Sequence, residues 1–217
     1  MRNMFSAAMR FTPVRFAAAA VLSLALAGCL FRESPVASWY VFPSSPAETS
    51  GQSSALQGPR IAVGPLTLPA YLDRSNVFIR QDAASPAARI APAALWGEPL
   101  EEGVARVLCE SMGAALASRQ AVVFPLELAL PADWRVFIHV VRFDGAPNAP
   151  VALKASWSFV SATGEVRRTG QFSDTVTAAG GVDGLVLAQD TLLRRFGKTL
   201  AEAAPLTPQE TKPARAK

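Results

Sequence analysis

Three long stretches between residues 134 and 177 constrain the fold of this chain most strongly. Trp134 to Phe143 carries apolar residues on both of its alternating faces, Val151 to Val160 alternates between apolar and polar residues, and Val166 to Thr177 follows a tight turn at Ala162 to Glu165. A period of two is typical of strands, and short turns join antiparallel neighbours. The sequence therefore predicts a meander of three antiparallel strands. Its first strand is expected near the middle of a sheet, covered on both faces.

Shorter β-favouring segments precede this meander. Gly64-Pro65 interrupts one of them, which predicts a bulge or a bend because proline cannot donate to a central ladder. The predicted short strands and segments are Trp39 to Phe42, Arg60 to Leu68, Asn76 to Arg80, Ala88 to Ile90 and Ala121 to Pro125.

Two amphipathic patterns with helical spacing complete the domain. Leu95 to Leu100 opens the first helix, which continues to about Ser118, and Glu98, Glu101 and Glu102 complement the positive end of its dipole. The second helix carries one apolar stripe, formed by Leu185, Gln189, Leu192, Leu193, Phe196 and Leu200. Together these elements predict a two-layer α+β fold, with one mixed, mainly antiparallel sheet packed by two amphipathic helices.

The N-terminus has the layout of a secretion signal. Arg2, Arg10 and Arg15 precede an apolar and small-residue run from Phe16 to Ala27, which is too short for a permanent membrane span. The run ends at Leu26-Ala27-Gly28-Cys29, which resembles the bacterial lipoprotein box. That resemblance implies removal of residues 1–28 and acylation of Cys29, with two or three chains such as palmitate holding the protein on a membrane. The alternative is an ordinary cleaved signal with an incidental cysteine.

The remaining chain divides into a tether, a domain and a tail. Residues 29–38 form the lipidated N-terminus and tether, residues 39–204 the domain, and residues 205–217 a tail whose composition predicts disorder. Pro43 to Pro59 is a low-complexity loop. Leu30 stands where an aspartate would act as an inner-membrane retention signal in many bacteria. By that resemblance the protein belongs on the outer membrane and faces the periplasm.

The charge balance excludes a nucleic-acid partner. The formal charge of +4 includes three arginines that leave with residues 1–28, so 18 basic residues then face 17 acidic ones. Since the tail carries a further excess of two positive charges, residues 29–204 have a net charge near −1. A domain of this kind has no basic footprint for nucleic acid.

The chemistry-bearing residues are few. His139 is the single histidine and is expected to be a buried or edge-strand residue, while Cys109 is expected to be a small buried hydrophobe. No nucleophile elbow, phosphate-binding loop or zinc-binding His-Glu-x-x-His sequence occurs. The adjacent Glu101 and Glu102 are explained by the helix dipole. The sequence thus predicts a protein that is not an enzyme and that has no cofactor and no metal.

Two stretches carry larger side chains than a solvated turn needs. Tyr71-Leu72-Asp73-Arg74 follows Pro69, and Trp96 precedes the first helix. One interpretation is that Tyr71 and Trp96 close the ends of the core while Asp73 and Arg74 fix the turn. The other is a partner-binding surface, because Tyr, Trp and Arg are the usual interface anchors.

The same stretches carry a family resemblance. Gly64 to Arg74, Leu95 to Leu100 and Trp134 to Gly145 resemble the PqiC-type family of ABC-transport auxiliary lipoproteins, and the similarity extends over Trp39 to Ala204. The resemblance implies an outer-membrane lipoprotein that works with an inner-membrane transporter subunit and a tube-forming MCE protein. Together these proteins move lipid between the membranes and maintain envelope integrity. It also implies a ring of subunits that docks the end of the tube.

Two other functions stay open at this stage. One is a lipid-anchored hydrolase of the envelope that uses His139. The other is a scaffold lipoprotein for a different outer-membrane complex.

Overall fold

A computed structural model describes residues 36–44, 58–81 and 86–206 of the chain. By its contacts the chain divides into two units, Met1–Val36 and Ala37–Lys217, and the elements below belong to the second. The predicted signal peptide, Cys29, most of the tether and most of the tail lie outside the described residues, so these predictions stay untested.

The described strands form two sheets instead of the single sheet expected. The small sheet has the order β1-β4-β3, with β1 at Ser38–Tyr40, β3 at Asn76–Ile79 and β4 at Arg89–Trp96. The large sheet has the order β5-β2-β6-β7-β8. Its strands are β2 Arg60–Thr67, β5 Val122–Pro125, β6 Trp134–Asp144, β7 Pro150–Ser161 and β8 Val166–Thr177.

Both edges of β2 are occupied, which explains the separation of the sheets. β2 runs parallel to β5 on one side and to β6 on the other, so no place beside it remains for β3 or β4. Alternation in a sequence identifies strands, but it does not say which strands pair. The α+β class is confirmed, as is the predicted antiparallel meander of β6, β7 and β8.

The predicted interruption of β2 is present. The register between β2 and β6 shifts between Val63 and Leu66, and Gly64 has a φ of 129°, which side chains other than glycine rarely adopt. The chain therefore bends where Gly64-Pro65 stands.

Two helices cover one face of the large sheet. Helix α1, Leu100–Leu116, packs against β2 and β5, and helix α2, Gly181–Ala203, packs against β7 and β8. The helices meet where Gly197 lies against Ser111, so closely that a Cβ at position 197 would come within 2.6 Å of the Ser111 Cβ. The predicted stripe of α2 is buried as expected.

The first helix starts later than predicted. It begins at Leu100, whereas Leu95 and Trp96 are the last residues of β4. Proline fixes its own φ and disfavours helical geometry in the residue before it, so Glu98-Pro99 separates the strand from the helix.

The face of β6 that points away from the helices is exposed to solvent, which corrects two expectations. Phe137 and Val141 are 37% and 58% exposed, and His139 between them is exposed in the central strand instead of being buried or at an edge. Both helices lie on the face of Val136 and Ile138, and the predicted cover on the second face is wrong. Cys109 is half-buried against the core, and burial raises the pKa of its thiol to about 12.

Candidate functional site

The Tyr71-Leu72-Asp73-Arg74 sequence leads from β2 into β3. Residues Ala70–Leu72 form one 3-10 turn after Pro69, which buries Leu72 and leaves Asp73 and Arg74 exposed. The Arg74 Nε donates a hydrogen bond of 2.5 Å to the carbonyl oxygen of Tyr71. The arginine thereby holds the turn in the way that the structural interpretation expects.

Tyr71 is fixed by a buried carboxylate. Its hydroxyl donates a 2.8 Å hydrogen bond to the Oδ2 of Asp144, and the Asp144 side chain is 1% exposed. Arg80 and Arg142 bind the same carboxylate through their Nε atoms, at 3.0 and 2.7 Å. Burial, followed by the bond to Asp144, raises the pKa of Tyr71 to about 12. We call these four residues the Asp144 cluster, and it joins the turn before β3 to the end of β6.

Trp96 is part of the core. It is 7% exposed, and its ring lies 5.2 Å from that of Phe42, measured between centroids. Two residues later, Glu98 accepts a hydrogen bond of 2.5 Å from the Nη2 of Arg106, which also donates to the carbonyl oxygen of Phe42 at 3.1 Å. The stretch around Trp96 therefore secures the start of α1 to the segment after β1.

That segment is held at three points. The Tyr40 hydroxyl donates to Asp183 at 2.8 Å, Arg106 binds the Phe42 carbonyl, and the Arg194 Nη2 donates to the carbonyl oxygen of Pro43 at 2.6 Å. Phe42 itself is 2% exposed. The described part of the N-terminal segment is thus tied to both helices.

The two sequence stretches meet at one cavity. A volume of about 790 Å³ lies between the turn at residues 70–75 and the start of α1. A second cavity of about 850 Å³ shares Leu66, Glu98, Pro99 and Glu101 with it. We call this continuous depression the motif groove. Its lining includes Leu72, Asp73, Arg74 and Trp96 of the predicted partner-binding set, whereas Tyr71 lies behind the turn on the Asp144 cluster.

Acidic side chains surround the groove. The pKa of Glu101 is raised, first by partial burial and then by the negative charges of Glu127, Asp73 and Glu102. Carboxylates that disfavour one another's ionisation create a negative potential at this surface. A cationic side chain placed in the groove would relieve it.

Sequence reasoning left Asp144, Arg80 and Arg106 without a role. Asp144 falls at the end of the stretch on which the family resemblance rests. Arg142 is two residues away, but the partners Arg80 and Tyr71 are 64 and 73 residues away in the sequence. The acid at the end of a largely apolar strand was a signal in the sequence, because a buried charge needs partners. The identity of those partners is a property of the packed structure.

His139 lies away from the groove. It borders a shallow depression of about 490 Å³ on the open face of the large sheet, directly opposite Ser156 in the register. In residues 36–44, 58–81 and 86–206, no group of three or more His, Cys, Asp or Glu side chains could hold a metal ion. Within the same ranges, no helix has the length and apolar character to span a membrane.

Solved structures with this fold exist. A crystal structure of an uncharacterized protein aligns with a TM-score of 0.62 at 19% identity, covering 77% of this chain and 98% of that one. A Xanthomonas campestris protein of the DUF330 family aligns with a TM-score of 0.54 at 14% identity, covering 76% and 90%. At these identities the likeness concerns the fold alone.

Family membership follows from the sequence itself. The profile of the family described as "ABC-type transport auxiliary lipoprotein component" matches residues 40–201, which is nearly all of the domain. No curated protein matches the chain. The match runs from β1 to the last turn of α2 and therefore includes both walls of the motif groove. The chain belongs to the family of ABC-type transport auxiliary lipoproteins.

Proposed function

We propose that this protein is the outer-membrane lipoprotein subunit of an MCE-type lipid transport system. It is acylated at Cys29, faces the periplasm and has no catalytic role. Its domain docks the periplasmic tube formed by the MCE protein, which connects to the inner-membrane transporter subunits, and it thereby supports envelope integrity. The observation that carries the proposal is the convergence of the two family-like stretches on one groove.

The construction of the groove supports a docking role. Its walls are held from behind by the Asp144 cluster and by the Arg106–Glu98 pair, so they are fixed before a partner arrives. A rigid surface loses little conformational entropy on binding. The half-buried side chain of Leu68, in the same lining as Asp73 and Glu101, suits a polypeptide segment with apolar and basic residues.

The attachment to the membrane supports the same role. The tether from Leu30 to Ser38 spans at most about 30 Å, so the domain stays near its membrane. Because Phe42 is buried and the carbonyl groups of Phe42 and Pro43 are bound by arginines, a pull on the anchor is transmitted to both helices. A homo-oligomeric ring would present several motif grooves to one tube.

The experiment reverses the charge of the groove. The Asp73→Lys/Glu101→Lys variant keeps the Asp144 cluster and Trp96 intact, and both substituted residues are exposed. We expect the variant to fold but to lose most of its co-purification with the MCE protein from cross-linked membranes. Glu165→Lys is the matched control, since Glu165 is an exposed acid in the hairpin between β7 and β8.

The outcomes separate the parts of the proposal. If the groove variant retains the MCE protein as well as the control does, the docking surface lies elsewhere. If the wild-type protein recovers no MCE subunit, the scaffold function replaces the transport function. If Cys29→Ser leaves the protein in the outer-membrane fraction, acylation at Cys29 is not the anchor.

The hydrolase function gains no support from the site. His139 stands on an open sheet face, and its neighbours in the depression are Ser156, Ser158, Thr169 and Gln171. A histidine that activates a serine needs a group that orients its ring and a pocket that excludes water. We therefore assign no catalytic residue.

A further inference from the structure

The outward face of the small sheet carries several apolar side chains. Trp39 pairs with Leu95, Leu95 with Asn76, and Phe78 with Ile90. Asn76 and Phe78 are two residues apart on β3. The register shifts between these two pairs, and on β4 both Ile90 and Leu95 are more exposed than Ala91, Ala94 and Trp96. The five side chains are therefore assigned to the outward face. Trp39 is 67% exposed and Ile90 42% exposed, while Leu95, Asn76 and Phe78 are half-buried.

The opposite face of the same sheet is ordinary core. Val77, Ile79, Ala94 and Trp96 are each 7% exposed or less. The small sheet is therefore apolar on both sides, and on its outward side the domain covers Phe78, whose ring lies 4.7 Å from that of Tyr71, but leaves Trp39 and Ile90 exposed. An exposed tryptophan and an exposed isoleucine on the same sheet face are unfavourable in water and indicate a contact that the domain itself does not supply.

The charged side chains over this face are arginines, of which Arg80 is paired with Asp144. The Arg74 guanidinium carbon lies 5.8 Å from the centroid of the Phe78 ring, and that of Arg80 lies 5.5 Å from it. Arg89, at the start of β4, is exposed. The strands β1, β3 and β4 contain no acidic residue. Aromatic and aliphatic side chains combined with arginine are typical of surfaces that lie in the headgroup region of a membrane.

The position of Trp39 in the chain indicates that the outward face of the small sheet contacts lipid. Trp39 is only ten residues after Cys29, a distance that an extended chain spans in about 35 Å at most. When the acyl chains are in the bilayer, the anchor already holds this face close to the lipid surface. A weak affinity for the interface is then sufficient, because the tether keeps the local concentration of lipid high.

We infer that the outward face of the small sheet lies on the lipid surface to which Cys29 anchors the protein, with the Trp39 indole in the headgroup region. This inference rests on the proposed acylation of Cys29. It extends the proposed function by giving the domain a fixed orientation on the membrane, so that the anchor limits both the distance and the rotation of the motif groove.

The test measures quenching of tryptophan fluorescence by lipid. The full-length protein, purified in detergent, is reconstituted into vesicles of phosphatidylethanolamine and phosphatidylglycerol with or without brominated acyl chains. Intact-mass measurement first establishes whether Cys29 carries its acyl groups. We expect brominated lipid to quench the wild-type protein, Trp39→Phe to lose most of this quenching, and Trp157→Phe to keep it.

Trp157 is a suitable control because it is half-buried in β7, in the large sheet. Quenching of Trp39→Phe equal to that of the wild type in acylated protein would overturn the inference. So would a Trp39 that is shielded from aqueous iodide but not quenched by brominated lipid, since protein would then cover the face. A mature chain without acyl groups would contradict the proposed function instead, whatever the quenching shows.

Discussion

The two sheets of this domain differ in what their outward faces expose. On the large sheet, Phe137 and Val141 are exposed on either side of His139, and β7 and β8 contribute Ser156, Ser158, Thr169 and Gln171. On the small sheet, four of the five outward residues are apolar, and arginines lie over Phe78.

The difference shows that the neighbours of an exposed apolar residue decide whether it indicates a contact surface. Isolated apolar side chains among hydroxyl and amide groups are normal on a protein surface. Several apolar side chains on one face, next to the proposed lipid tether, form a candidate contact surface. The two sheets obey the same rule on their inner faces, where the helices and the core cover them, and they diverge only on the outer ones.

The largest expected effect comes from separating the two sheets. The Asp144 side chain is 1% exposed and pairs with Arg80 and Arg142. Asp144→Ala removes this carboxylate and leaves both arginines without it. Breaking a buried ion pair by removing one partner costs about 3–5 kcal/mol. We expect a loss of that size in the free energy of unfolding, measured by chemical denaturation.

Asp174→Ala is the matched control for this substitution. Asp174 pairs with Arg195 at 2.8 Å, but the two side chains are 33% and 53% exposed. Exposed pairs contribute about 0–1 kcal/mol. Equal losses from the two substitutions would show that the Asp144 cluster does not join the sheets.

The second prediction compares the two faces of β6. Ile138, 2% exposed, faces the helices, whereas Val141, 58% exposed, lies on the open face. Replacing a buried isoleucine by alanine costs about 2–5 kcal/mol, and an exposed substitution changes stability by about 0.5 kcal/mol or less. Thermal unfolding of Ile138→Ala and Val141→Ala measures the difference. A large loss in Val141→Ala would mean that the outer face is covered in solution.

The third prediction concerns Tyr71, which links the small sheet to Asp144. Tyr71→Phe removes the hydrogen bond to a charged group and should cost about 1.5–3 kcal/mol at neutral pH. Because the pKa of Tyr71 is raised to about 12 in the folded protein, its contribution is complete below about pH 10 and is lost as the pH rises through 12. We expect the decrease in unfolding free energy above pH 10 to be smaller in Tyr71→Phe than in the wild-type protein.

Tyr40→Phe provides the comparison for the pH dependence. The pKa of Tyr40 is also raised, chiefly by its hydrogen bond to Asp183, but this bond lies at an exposed position. The alkaline decrease should therefore change less in Tyr40→Phe than in Tyr71→Phe. The reverse order would indicate that Tyr71 is not held by the Asp144 cluster.

The sequence predicted secondary structure best where one face of an element dominates its pattern. The stripe of α2 and the alternation in β7 both identify a buried face, and both are confirmed. β4 was recognised only at Arg89 and Ile90, because Pro92 and three alanines obscure its alternation. The interface role of Tyr71, Leu72, Asp73, Arg74 and Trp96 stays a prediction, and the burial of Leu72 and Trp96 agrees with the structural interpretation.

The sequence by itself determined the fold class, the family and most elements of the domain, since local periodicity and short motifs are properties of neighbouring residues. The tertiary structure decided how the strands divide into two sheets, which face of β6 meets water, and that Tyr71 and Arg80 share Asp144. These features depend on pairing between residues that are distant in the chain. A one-dimensional pattern identifies a strand with an apolar face, but only packing decides what covers that face.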